Sequence, residues 1–426
     1  VVVVDNDAFS GSPYKYELPE DENATDRKEF KYSIDRSGYV VITGYIGEMR
    51  SIVIPSVING YPVTTIGKGA FQGCEHLTDI SMSDYITTMQ SDAFRDCVGL
   101  KRIHLSNNIS QIISTSFIGC TGLKEVNIPD NVTEIKRATF KSSPLEKLYI
   151  GKSLTTIESG SFYGGEYDYY TGRQITTRAI NEIIVDPANP NMQAIESMIL
   201  TKDGKKLLAV FADNERQAIP QGVETIADSA FEGFAFLSEV DFPESLVEIG
   251  ERAFEKTGLS RISLTENVRK IGAQAFAACT HLSSVEFDNK LEEIGDQAFT
   301  NCAIRTVSLP SSIRVLGKDC FSKCEELQEV IIADGISDTG MGTFEQCTKL
   351  SKITLPESMR SIGTNAFADC GALREVTVRS SIDTVGAGAF KRTGLSGNSM
   401  GSLIEQLGPA WSTLNEMEGQ LNDLLA

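Results

Sequence analysis

Histidine is scarce in this 426-residue chain, tryptophan occurs once, and long apolar runs are missing. Each shortage closes off a class of function. The three histidines are His76 and His281, which share one turn slot ahead of a strand, and His104, which lies on a strand. None falls in a pattern with Ser, Cys or Asp that suggests a triad, and neither a P-loop nor H-E-x-x-H occurs, so no enzymatic role is expected. Paired carboxylates such as Glu292 and Glu293 read as a solvated face. Nothing approaches the roughly 18 apolar residues of a transmembrane helix, so no membrane insertion is expected. Positive charge is short as well: 39 Lys and Arg against 58 Asp and Glu leave a net charge of -19, which argues against nucleic acid or an anionic membrane as partner. No C-x-x-C pair supports a zinc or redox site, and no cofactor or metal is expected. The chain starts at Val1 without a methionine, so a signal peptide is expected to be missing, and its absence is no sign of a cytoplasmic home.

What the sequence has in abundance is one skeleton, seen clearly in IGAQAFAACTHLSSVEF from Ile271 to Phe287. A small residue followed by phenylalanine recurs at Phe71, Phe94, Phe117, Phe140, Phe162, Phe231, Phe254, Phe276, Phe299, Phe321, Phe344, Phe367 and Phe390. The gaps are 22 or 23 residues except for one of 69, from Phe162 to Phe231. A fixed period of this length marks a solenoid. Aliphatic residues lie five before each Phe (Ile112, Ile135, Ile249) and eight before it (Ile109, Val132, Leu246), and six after it a Leu opens a short run such as Leu100, Ile103, Leu105. That run reads as one strand per coil. Proline often ends it, as Pro129, Pro243, Pro310 and Pro356 do, because proline has no N–H for the ladder. Glycine stands four before the Phe in eight coils but Gln90, Ile113, Lys136, Glu158 and Ala227 replace it elsewhere, which implies a close turn without positive φ.

One coil buries about six apolar side chains at roughly 1.5 to 3 kcal/mol each, while ordering its backbone costs on the order of 1 to 2 kcal/mol per residue. A single repeat therefore cannot fold alone, and stacked coils must share a core closed by caps. These motifs resemble the BspA-like leucine-rich repeat family of bacterial surface proteins, over roughly residues 30 to 395. The resemblance implies a leucine-rich repeat solenoid, a right-handed β-rich α/β superhelix of about 14 coils with parallel strands lining one face. It also implies an exported, cell-surface location and, as in some members, adhesion to host matrix proteins.

Eight of the nine cysteines occupy one slot, three after the Phe: Cys74, Cys97, Cys120, Cys279, Cys302, Cys324, Cys347 and Cys370. Ser143, Thr257 and Thr393 take the same slot in other coils, so small buried free thiols are expected rather than disulfides, with Cys320 as the outlier.

Along the chain, residues 1–28 carry no repeat and read as a linker or disordered N-terminus. The solenoid is expected over residues 29–395, opening with an alternating hairpin cap, FKYSIDRSGYVVITGYIG, and a loop at SVINGYP. Two departures follow. The insertion over residues 163–179 holds Tyr163, Tyr167, Tyr169 and Tyr170, and either packs back on the coils or meets a partner. Asp203 and Gly204 mark a hairpin over residues 197–211. In a late coil Thr339 replaces the aliphatic residue five before Phe344, and after Leu395 the stretch GLSGNSMG breaks the repeat. The segment 396–426 then spaces Leu403, Leu407, Trp411, Leu414 and Met417 at threes and fours, with Pro409 near a helix start, as a helical cap, a partner-pairing helix or a tail. Sequons at Asn23, Asn108 and Asn131 would count only in a eukaryotic source.

The outward strand position is mostly polar or small, as in Ser81, His104, Asn127, Asp241 and Thr354, but Tyr149 and then Ile184 break the rule, followed by Ala218; Ile331 breaks it alone. Tyr149, Ile184 and the four insertion tyrosines are therefore the candidate partner-binding residues, for an extracellular protein or glycan. A spacer or stalk is the alternative, and a repeat-scaffolded hydrolase a remote one.

Overall fold

The computed structural model of the chain describes residues 22–158, 160–162, 180, 182–212 and 214–411. It is a parallel β-solenoid of about 14 turns. Two compact units divide it: Val1–Gly204 with Leu208–Asp213, and Lys205–Leu207 with Asn214–Ala426.

Each regular coil carries the long strand that its Leu-x-x-Ile run calls for, and a second, two-residue strand ending five before the Phe. In the first unit the long strands include Asp79–Ser81, Arg102–His104, Glu125–Ile128, Lys147–Ile150 and Glu182–Val185. Pairs such as Asp79 with Arg102, and Glu125 with Lys147 and then Glu182, lie in register. The short ladder runs through Gln111–Ile112, Glu134–Ile135 and Thr156–Ile157. The second unit repeats the arrangement, with Thr306–Leu309, Glu329–Ile332, Lys352–Leu355 and Glu375–Val378 as a four-strand parallel run. Its short ladder lapses at the coil where Thr339 stands, leaving a single bridge between Asp338 and Ser361. There the Thr339 hydroxyl oxygen accepts from the Gly363 N–H instead.

The phenylalanines stack face to face along each unit. Ring centroids are 5.4 Å apart between Phe94 and Phe117 and 5.1 Å between Phe254 and Phe276, with planes within a few degrees. In the first unit the column starts at Phe30 and Tyr45 and ends edge-on where Phe162 meets Phe211. In the second it starts where Phe231 meets Phe234 and ends against Trp411.

The turn around each Phe holds its backbone in the left-handed region at two positions, two before and two after the ring. Asp92 and Asp96 flank Phe94 at φ 58° and 59°, Arg252 and Lys256 flank Phe254 at 55° and 58°. Seven of the 25 described positions are glycine and the other 18 are not, although this conformation costs an L-residue on the order of 1 kcal/mol. The return is a third ladder: the N–H groups of Arg252, Phe254 and Lys256 donate to the carbonyls of Ala273, Ala275 and Ala277 one coil on. The glycines four before the Phe serve another need, Gly340 alone among them having positive φ. A Cβ at Gly272 would lie 2.7 Å from the Glu251 nitrogen, so close approach between coils selects glycine there.

The slot cysteines are all free. All but the partly buried Cys74 donate to the Phe carbonyl of the preceding coil, as Cys120 does to Phe94 at 3.0 Å and Cys370 to Phe344 at 3.1 Å. Ser143 makes the same bond to Phe117 at 2.6 Å, which explains the exchange of cysteine for serine. Burial pushes the Cys120, Cys324 and Cys370 thiols up to about 12.

The N-terminal hairpin forms as Phe30–Ile34 against Val40–Tyr45. SVINGYP is a hairpin rather than a plain loop: Val57–Ile58 pairs with Tyr61–Ile66, and Asn59 and Gly60 both have positive φ, as a type I′ turn demands. The hairpin at Asp203–Gly204 closes with Gly204 donating to Thr201 and Phe211 to Ser197. A further strand, Met192–Ile195, pairs antiparallel with Met198–Thr201 ahead of it.

Past the last coil the helix α1 (Gly397–Leu407) buries Leu403 and Leu407. It begins inside the stretch expected to be a breaker, because Ser399 bonds back to both the N–H and the carbonyl of Ser396 and fixes the first turn. Where neighbouring long strands pair, the N–H at the strand's end donates to the next rung, as Ile54 does to Ser81 and Leu264 to Glu286. Val378, on the last rung, has no next strand. The Gln406 side-chain oxygen of α1 accepts from it at 2.8 Å.

Candidate functional site

Alternation along each long strand sends one side chain in and the next out. On the first unit the outward residues of successive coils are Ser81, His104, Asn127, Tyr149 and Ile184, with Ser81 opposite His104 and Asn127 opposite Tyr149, itself opposite Ile184. The structure thus brings two of the candidate residues together: Tyr149 is half-buried and Ile184 is 40% exposed on the neighbouring rung. Lys147 and Glu182, two positions earlier on these strands, form an ion pair at 2.7 Å that borders them. Tyr163, Tyr167, Tyr169 and Tyr170 lie outside the described residues. Ala218 belongs to the second unit, where it sits in register with Asp241. Ile331 is 55% exposed between Ser308 and Thr354.

A shallow depression of about 400 Å³ opens on the same strand face, lined by Asp79, Ser81, Arg102, His104, Glu125 and Asn127 among others. Asp79 is held below the usual carboxylate range by the Thr78 hydroxyl at 2.7 Å, and then by Arg102. A matching depression of about 340 Å³ lies on the second unit, lined by Glu239, Asp241, Arg261, Ser263 and Glu286. Its polar groups are tied to one another. Arg216 grips Asp241 with two bonds of 2.9 Å, Arg261 reaches Glu239 at 3.0 Å, and the Ser263 hydroxyl donates to Glu286 at 3.0 Å. Sequence spacing gives the outward positions but not which of their side chains are already paired.

The remaining chemistry-bearing residues have structural explanations. His76 stacks on Tyr45, and the amides of Asn108 and Asn131 donate to carbonyls of Asp84 and Asn107 in the preceding coil. Asn267 makes the same bond to Glu244 outside any sequon. One G-x-S-x-G spacing runs from Gly397 to Gly401. It is the first turn of α1 and follows no strand, and both bonds of Ser399 are local, so it is no nucleophile elbow. Among the described residues no group of three or more His, Cys, Asp or Glu could hold a metal ion, and no helix is long and apolar enough to cross a membrane.

No curated protein matches the chain. Among solved structures it is similar to a leucine-rich repeat protein from Bacteroides ovatus, with 25% identity over 85% of this chain and 91% of that one and a TM-score of 0.57. It is also similar to a leucine-rich repeat protein from Eubacterium ventriosum, with 22% identity over 88% of this chain and 95% of that one and a TM-score of 0.58. The family model for the BspA type leucine rich repeat region matches residues 45–167, 212–325 and 293–411, in 6 copies. The chain belongs to the BspA type leucine-rich repeat family.

Proposed function

We propose that this is a non-enzymatic protein of the cell surface or extracellular space that binds a protein or glycan ligand through the strand face of its first unit. One observation carries the reading: Tyr149 and Ile184 stand in register on neighbouring rungs, outward, directly after the polar Ser81, His104 and Asn127. An apolar pair rimmed by polar side chains is what a contact patch looks like, and aromatic anchors supply a large share of binding energy where such patches are used. The surface location follows the family resemblance. The spacer reading draws on the second unit, whose outward charges neutralise one another.

The test is binding of the purified chain to arrayed matrix proteins and glycans. Tyr149→Ala with Ile184→Ser should abolish the strongest interaction and leave the melting temperature nearly unchanged. A large fall in melting temperature with binding retained would make the pair packing, and the spacer reading would stand.

A further inference from the structure

We propose that the depression on the first unit is a subsite for an uncharged oligosaccharide, held by Ser81, Arg102, His104 and Asn127 with Tyr149 as the platform for a sugar ring. The inference rests on the binding role above and names its ligand class. The two matched depressions supply the argument. In the second unit Arg216 holds Asp241, Arg261 reaches Glu239 and Ser263 donates to Glu286, which leaves Ser284 as the one polar lining side chain with no bond to a described residue. In the first, Ser51, Ser81, His104 and Asn127 make no side-chain hydrogen bond to any described residue, and of the Arg102 guanidinium only Nε is engaged, by Asp79. The same rung geometry thus presents donors and acceptors that no described residue meets.

Charge selects the ligand. Asp79 and Glu125 line the depression beside Arg102, whose side chain is 80% exposed, so both signs are present within a few ångströms of strand. A polyanion would face the two carboxylates and a polycation the guanidinium. A neutral polyol, each of whose hydroxyls both donates and accepts, meets all of them. Tyr149 lies in register with Asn127, which sets an aromatic ring one rung from the polar cluster. Rungs spaced about 4.8 Å apart come close to the length of one pyranose in an extended chain, so successive sugars fall on successive rungs. A protein partner fits less well, since a stable protein contact buries a broad core enriched in aromatic residues, and this column offers one aromatic residue, Tyr149, with the aliphatic Ile184 beside it and Val53 at its far end.

The experiment screens the full chain against neutral oligosaccharides, acidic oligosaccharides and peptides, followed by calorimetry on the best neutral hit. A neutral saccharide of three or more units should bind. The pair His104→Ala with Asn127→Ala should weaken it about tenfold or more, and so should Tyr149→Ala. Ser263→Ala with Glu286→Gln, in the second depression, should not. If the alanine pair lowers the melting temperature, His104→Gln with Asn127→Ser takes its place with the same loss expected. Binding confined to acidic glycans or peptides, or neutral binding untouched by both strand-face pairs, overturns the assignment. A protein ligand lost in Tyr149→Ala, with no saccharide bound, would overturn it while leaving the binding role intact; no ligand of any class would remove both.

Discussion

The outward column of the first unit runs Ser81, His104, Asn127, Tyr149, Ile184; that of the second opens with Ala218, Asp241, Ser263 and Glu286. Beneath both lie the same stacked rings, the same thiol bonds to Phe carbonyls and the same left-handed turn positions. The interior is set by the repeat and varies little, whereas the outward position answers to no packing constraint. Two surfaces on one scaffold can therefore differ in kind, one self-neutralised and one with unmet hydrogen-bonding capacity, and function has to be sought where they differ.

The largest effect should test the sameness of the interiors. Phe117→Ala in the first unit and Phe276→Ala in the second remove rings stacked on both sides and fully buried. Each should cost about 3 to 5 kcal/mol in denaturant unfolding. Phe162→Ala, half-buried and edge-on to Phe211, should cost less. A marked inequality between the first two would break the equivalence of the units.

A smaller effect concerns the thiol column. Cys324→Ser should be close to neutral, because Ser143 already fills that slot, while Cys324→Val removes a donor and should cost about 0.5 to 1.5 kcal/mol. Alkaline titration sharpens the point. Burial raises these thiols from the ordinary 9.0 to about 12 in the folded chain, so the unfolded chain loses protons first. Their contribution is complete below pH 9 and should drain away as pH rises toward 12. Melting temperatures that stay level across that window would show the thiols to be accessible.

Gln406→Ala should be milder again, about 1 kcal/mol, and read locally as faster amide exchange at Val378. Smallest of all, Arg216→Ala breaks an exposed pair with Asp241 and should leave the melting temperature unchanged, at low or high salt. A clear drop would mean the charge pairing of the second unit stabilises it, and the contrast with the first would then be one of stability too.

Much of this was legible beforehand, because the period of the Phe landmark, the Leu-opened strands and the shared slot of Cys and Ser all follow from repeated packing demands. The hairpin at Gly204 had a dipeptide signal, and so did the one at Asn59–Gly60, which reads as a loop only if the register of the first coil is followed in preference to the turn chemistry. The second strand of each coil left little trace, since two residues are too few to show alternation. The left-handed positions left an uneven one: glycine stands at Gly73, Gly119 and Gly233, but Asp92, Thr115, Arg252 and Gln274 carry no glycine signature, and their φ is imposed by the ladder to the next coil. Helix α1 starts among residues that look like a terminator, Ser396 to Gly401, because a local serine bond outweighs their low helix propensity. At the candidate site, spacing located Tyr149 and Ile184, but whether His104 and Asn127 were already paired depended on neighbours a full coil away.

The bond from Val378 to Gln406 has a consequence for how such a protein lengthens. Rungs such as those of Ile54, Met82 and Leu264 hand this N–H to a successor, while on the last described rung the acceptor arrives on a helix that follows the coils. Termination is thus separable from repetition. Duplicating a 22- or 23-residue module upstream would change the number of rungs, and with it the area offered to a ligand, without redesigning the end.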